Sequence, residues 1–190
     1  MNKRAVALIC CCVLALSACA QTRSTGHSTA SKAPSVVLDE FIAFSDPATC
    51  QETEAFGRFL SDLIIFYDEF EARKGKITAP QSVTHAFGKI LFDKGPEGFV
   101  AMVPAKGNWK GFNLTAISTF APEGGDPADF TIHLAAPLAV VADRLKRDGF
   151  DVISGGTKTV DSEDSVYTRY TTLVEDPKRA SITLFNCGVS

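Results

Sequence analysis

The chain is predicted to form an α+β domain with a mainly antiparallel sheet, packed by one long N-terminal helix and a second, shorter helix. Three observations predict this. A helical apolar stripe runs through residues 49–73, strand-like segments recur in pairs around Gly/Pro-rich turns from residue 89 to 187, and a second helical stretch follows Pro137. Strands joined by short turns pair antiparallel, and helices set apart from them cover one face of the resulting sheet.

In chain order, Val36-Val37-Leu38 is a short strand leading to Phe41, Ile42 and Phe44. Asp46-Pro47 then signals a turn, and Thr49-x-x-Glu52 matches a capping box, which starts the long helix at Thr49 and runs it to Arg73, before Gly75. Phe56, Phe59, Leu60, Leu63, Ile64, Tyr67 and Phe70 recur at helical spacing and form its inward face. Ile65 falls on the opposite side, where an apolar side chain is a candidate contact residue or an ordinary stray one. Lys89–Asp93 with Phe99–Val103, Gly111–Phe120 with Phe130–Ala135, and Val166–Val174 with Ala180–Cys187 are three candidate strand pairs. Within one of them Phe130, Ile132 and Leu134 share a face and leave Thr131 and His133 on the other. Pro137 opens the shorter helix, Leu138, Val141, Ala142 and Leu145 face inward, and Gly149 stops it. A strand at Phe150–Ile153 would complete a parallel crossover with Phe130–Leu134, which keeps a ferredoxin-like arrangement open. No internal repeat is present.

The first 19 residues carry the clearest message. Met1-Asn2-Lys3-Arg4 is a basic start, Ala5–Leu16 is apolar but too short for a spanning helix, and small residues precede Cys19. Leu16-Ser17-Ala18-Cys19 resembles the lipobox of a bacterial lipoprotein precursor. The resemblance implies that Cys19 receives a diacylglycerol, that cleavage occurs before it and that the new amino group is acylated. Ala20 at the next position implies transfer to the outer membrane. The alternative is an ordinary secreted protein cut after Ala20, since Ala18-Cys19-Ala20 also fits a small-x-small rule. The division expected is residues 1–18 as signal peptide, 19–35 as lipidated Cys19 and a Ser/Thr-rich tether, and 36–190 as one domain. A flexible tether of that length spans roughly 20 Å.

Loss of residues 1–18 leaves 17 Lys plus Arg against 22 Asp plus Glu, a formal charge of −5. That balance argues against nucleic acid and against electrostatic adsorption to anionic lipid. Fourteen Phe against one Trp and three Tyr point to a filled apolar interior. Of six cysteines, Cys10, Cys11 and Cys12 leave with the signal and Cys19 takes lipid, so Cys50 and Cys187 remain to pair in an oxidising compartment.

Catalytic signatures are weak. There is no GxSxG, and Ser154-Gly155-Gly156-Thr157 lacks the ending of a phosphate loop, so a bend between strands is the better account. His27 lies in the tether, and neither His85 nor His133 has a partner at zinc-binding spacing. Asp161-Ser162-Glu163-Asp164 lacks the offsets of a calcium loop, and Asp68, Glu69 and Glu71 sit on or near a wet helix face. The loop Lys106-Gly107-Asn108-Trp109-Lys110-Gly111 is the best candidate contact surface: an aromatic ring between two cations suits a sugar, a peptide or an anionic polymer. The alternative is an indole folded back to cap the core.

Taken together, the expectation is a non-enzymatic envelope lipoprotein, held at the outer membrane through Cys19 and facing the periplasm, that binds an envelope protein or polymer. It needs no cofactor or metal. The alternatives are a periplasmic hydrolase with its site assembled from distant residues, and a small-ligand or lipid carrier with an apolar cavity.

Overall fold

A computed structural model describes residues 35–63, 76–123, 129–160 and 168–189. Ten strands and three helices lie among them: β1 (Val36–Val37), β2 (Phe44–Asp46), β3 (Gln51–Glu52), α1 (Glu54–Leu63), α2 (Gln81–Thr84), β4 (Leu91–Gly95), β5 (Gly98–Trp109), β6 (Phe112–Pro122), β7 (Asp129–Ala135), α3 (Leu138–Arg147), β8 (Gly156–Val160), β9 (Arg169–Glu175) and β10 (Thr183–Val189). The main sheet has the order β1-β5-β6-β7-β10-β9-β8, with β4 also on β5, while β2 and β3 form a separate small pair. Every neighbour in the main sheet is antiparallel except β1 with β5. The fold is therefore α+β with a mainly antiparallel sheet.

Strand alternation divides the sheet into two unlike faces. On one, Ile117, Ile132, Phe185 and Leu173 lie in register across β6, β7, β10 and β9, and all are fully buried. All three described helices pack there through Phe56, Phe59, Leu60 and Leu63 of α1, Val83 of α2, and Val141, Ala142 and Leu145 of α3. On the other face, Ser118, Thr131, Asn186, Thr172 and Thr157 form one row from β6 to β8.

Several sequence expectations need correction. Helix α1 begins at Glu54, not Thr49, and its described part ends at Leu63. Thr49 instead donates its hydroxyl to Asp46 (2.7 Å), whose other oxygen accepts from the Ala48 N–H (3.1 Å). That local turn consumes the capping group, and Gln51–Glu52 then pairs with β2. Expectations for Ile65 and the helical stretch beyond Leu63, and for the acidic run 161–164, lie outside the described residues.

Phe150–Ile153 is not a strand. Phe150 and Val152 are buried, but the next strand is β8, separated from β7 by β10 and β9 and antiparallel to it, so no parallel crossover forms. The ferredoxin-like option falls with it. The segment Lys106–Trp109 is likewise strand, not loop: β5 continues through it with an irregularity between Pro104 and Gly107. Lys110 and Gly111, both at positive φ (54° and 87°), make the two-residue turn into β6 that suits strand twist. Helix α3 matches its expected start at Pro137, and Gly149 at φ 91° ends it while Phe150 N–H returns to Leu145 O (3.0 Å).

Cys50 and Cys187 form a disulfide spanning 137 residues. It joins the β2–β3 turn to the last strand. Chain-entropy reasoning assigns a loop of that size about 5 kcal/mol as an upper figure.

Candidate functional site

The expected Trp109 platform does not exist. The indole is 0 % exposed, stacks near-parallel on Phe185 with centroids 6.2 Å apart, and meets Phe44 and Phe150. Its Nε1–H donates to Ile42 O at 2.7 Å, which meets the one polar demand of a buried Trp. Trp109 is a core residue, and the core-cap alternative describes it. The two lysines part company as well. Lys110 donates its backbone N–H to Asp39 (2.5 Å) and pairs through Nζ with Asp148 (3.6 Å). Lys106 is exposed in the β5 irregularity beside His85, at a shallow cleft of about 290 Å³.

His133 does find partners that sequence spacing could not reveal. Its Nε2 lies 2.9 Å from Ser118 Oγ on the adjacent strand, and its Nδ1 lies 2.8 Å from Arg179 Nη2 on the β9–β10 turn. Arg179 Nε donates to Asp176 (2.6 Å). The outline resembles a serine–histidine dyad, yet the proton inventory forbids that chemistry. A guanidinium only donates, so Nδ1 must accept, the ring proton sits on Nε2, and Nε2–H donates to Ser118. The imidazole lone pair that would deprotonate the serine is already engaged by Arg179. Burial, reinforced by the Arg179 charge, lowers the His133 pKa to about 4, while Asp176 partly opposes this. Asp176 is itself held below the usual carboxylate range by the Lys178 N–H and by Arg179.

On the same sheet face, Tyr170 OH donates to Asp129 Oδ1 at 2.6 Å. Burial raises the Asp129 pKa, against the lowering effect of that hydrogen bond. Burial followed by the Asp129 contact raises Tyr170 far above the ordinary phenol range. Gly188 lies between them in register, where a Cβ would collide with Asp129 and Tyr170, so the pair depends on a glycine beneath it. This is a structural lock at the strand ends, with a proton that stays on tyrosine.

A cleft of about 320 Å³ opens on the helix side of the same sheet end. Arg169, Glu52, Ser61 and the Cys50–Cys187 bond line it. The main-chain carbonyl of Thr49 (3.3 Å) and the side-chain oxygen of Gln51 (2.7 Å) accept from the Arg169 guanidinium, which is held there by neutral partners. Glu52 lies against Gly57 of α1, where an added Cβ would stand 3.2 Å from its Cγ. Sequence reading found the disulfide but missed Arg169, Glu52 and Ser61, which lie up to 117 positions apart in the chain and form no motif. The one available signal was Gly57, a glycine inside a strong helical pattern.

Among the described residues no group of three or more His, Cys, Asp or Glu is placed to hold a metal ion, and no helix is long and apolar enough to cross a membrane. No family model, curated protein or solved structure matches the chain.

Proposed function

We propose that this protein is a lipid-anchored binding module of the bacterial envelope, fixed at the outer membrane through Cys19, facing the periplasm and binding an envelope protein or polymer without catalysing a reaction. The observation that carries the reading is the division of its cysteines. One lies at the lipobox position, three lie in the signal, and the remaining two are bonded to each other. A bonded pair suits an oxidising compartment, and the lipobox supplies the route there.

Two arrangements favour binding over the alternatives. The tautomer imposed by Arg179 leaves His133 unable to serve Ser118 as a base, which removes the most hydrolase-like constellation among the described residues. The rings of Phe41, Phe56, Phe59, Phe130, Phe150 and Phe185 fill the layer between helices and sheet that a lipid carrier would keep hollow. The test is metabolic labelling with a fatty-acid probe. The native chain should label and Cys19→Ser should not, and crosslinking in cells should join the labelled protein to an envelope component. Labelling that persists in Cys19→Ser contradicts the proposal.

A further inference from the structure

The cleft at the disulfide is lined by the cation Arg169 and by two acidic residues, Glu52 and Asp129, of which Asp129 already accepts the Tyr170 hydroxyl. Arg169 makes two hydrogen bonds to neutral oxygens, which orient the guanidinium without neutralising it, and among the described residues three of its five N–H groups have no acceptor. Glu52 lines the same cleft, and among the described residues no ion pair joins it to Arg169. Ser61, one turn beyond Gly57, donates its hydroxyl proton to Gly57 O at 2.9 Å. Its oxygen therefore offers only lone pairs to the cleft, which gives Glu52 and Ser61 the same preference for a donor. Gly57 lets Glu52 lie flat beside them, although glycine inside a helix costs about 1 kcal/mol relative to alanine. One wall is acceptor-only and anionic, another is a pre-oriented cation, and the disulfide and Leu60 give the cleft an apolar part.

We propose that this cleft binds a small zwitterion, an amino acid or short peptide with free ends, with its ammonium on Glu52 and Ser61 and its carboxylate on Arg169. The proposal rests on reading the domain as a binding module and names the ligand class. A cleft of about 320 Å³ is at the small end of ligand sites and admits a dipeptide rather than a folded partner. Charge-assisted bonds at both ends, with few rotors between, make recognition depend on both termini together.

The test is calorimetric titration of the full-length protein in detergent micelles with alanylalanine, and in parallel with the same dipeptide acetylated and amidated. Saturable binding of the free dipeptide, weakened at least tenfold by blocking its ends, is expected. Glu52→Gln and Arg169→Met should each weaken it at least tenfold, while Arg169→Lys should retain part of it. Equal binding of the blocked dipeptide, or no saturable binding of the free one, overturns the proposal. The blocked-ligand comparison uses the unaltered protein, so it stands even where a variant misfolds. Absence of binding by a protein acylated at Cys19 removes the ligand and leaves the anchor. Binding by an unacylated protein does the reverse.

Discussion

The two faces of the main sheet are stabilised by different physics. On the helix side, Ile117, Ile132, Phe185 and Leu173 meet a layer of rings, and stability comes from apolar area withdrawn from water. On the opposite side, the positions one residue along are joined by side-chain hydrogen bonds: Asn186 to Thr131 (3.1 Å), Thr157 with Thr172 (2.8 Å), Ser118 with His133, and Tyr170 to Asp129. The first face is indifferent to pH and sensitive to shape. The second depends on where protons sit, and is shape-sensitive at Gly188, where a Cβ would meet Asp129 and Tyr170.

Substitution at the ring layer should give the largest effect. Trp109→Ala removes the indole and leaves Ile42 O without its donor, so about 3 to 5 kcal/mol should be lost, read from the urea midpoint. Retention of full stability would break the assignment of Trp109 to the core. Next comes the disulfide that ties the edge of this layer to β10. Cys50→Ser with Cys187→Ser should cost about 2 to 5 kcal/mol in the same assay, and an unaltered midpoint would deny the bond a role.

On the hydrogen-bonded face the expected effect follows pH. The His133 ring titrates near 4 when folded and near 6.5 when free, so the unfolded chain takes up its proton first as pH falls. The stability linked to neutral His133 is therefore full above pH 6.5 and is lost progressively between 6.5 and 4, by about 3 kcal/mol in all. His133→Asn should lack that part of the pH dependence. An unchanged profile would mean that the ring is not held neutral by Arg179 and burial. The smallest change belongs to the end of the threonine row. Thr172→Val removes one hydroxyl contact with Thr157 and should shift stability by no more than about 1 kcal/mol at any pH.

The same contrast explains what the sequence made legible. Alternation in β7 and the inward stripe of α3 reflect burial against a single layer, and they can be read because every apolar position carries the same message. Pro137 and Gly149 mark α3 because backbone geometry is local. Thr49-x-x-Glu52 misled for the opposite reason: its groups satisfy a capping pattern, but Asp46 is closer and takes the hydroxyl. For Trp109 the sequence offered a core cap beside a contact platform, and what decides for the core is a carbonyl 67 residues away; Lys110-Gly111 was a turn disguised as the end of a loop. Arg179 on His133, and Arg169 with Glu52 in one cleft, are long-range juxtapositions with no periodicity to announce them. The cysteine pair was legible by elimination, because only two thiols remained to be assigned.

The central claim is that export and acylation at Cys19 deliver an oxidised domain to the envelope. Intact-mass spectrometry of native protein tests it directly. The account predicts a chain beginning at Cys19, heavier by a diacylglycerol and an N-acyl group and lighter by two hydrogens for the Cys50–Cys187 bond. A chain that begins at Met1 or Gln21, or that carries free thiols at Cys50 and Cys187, would contradict it.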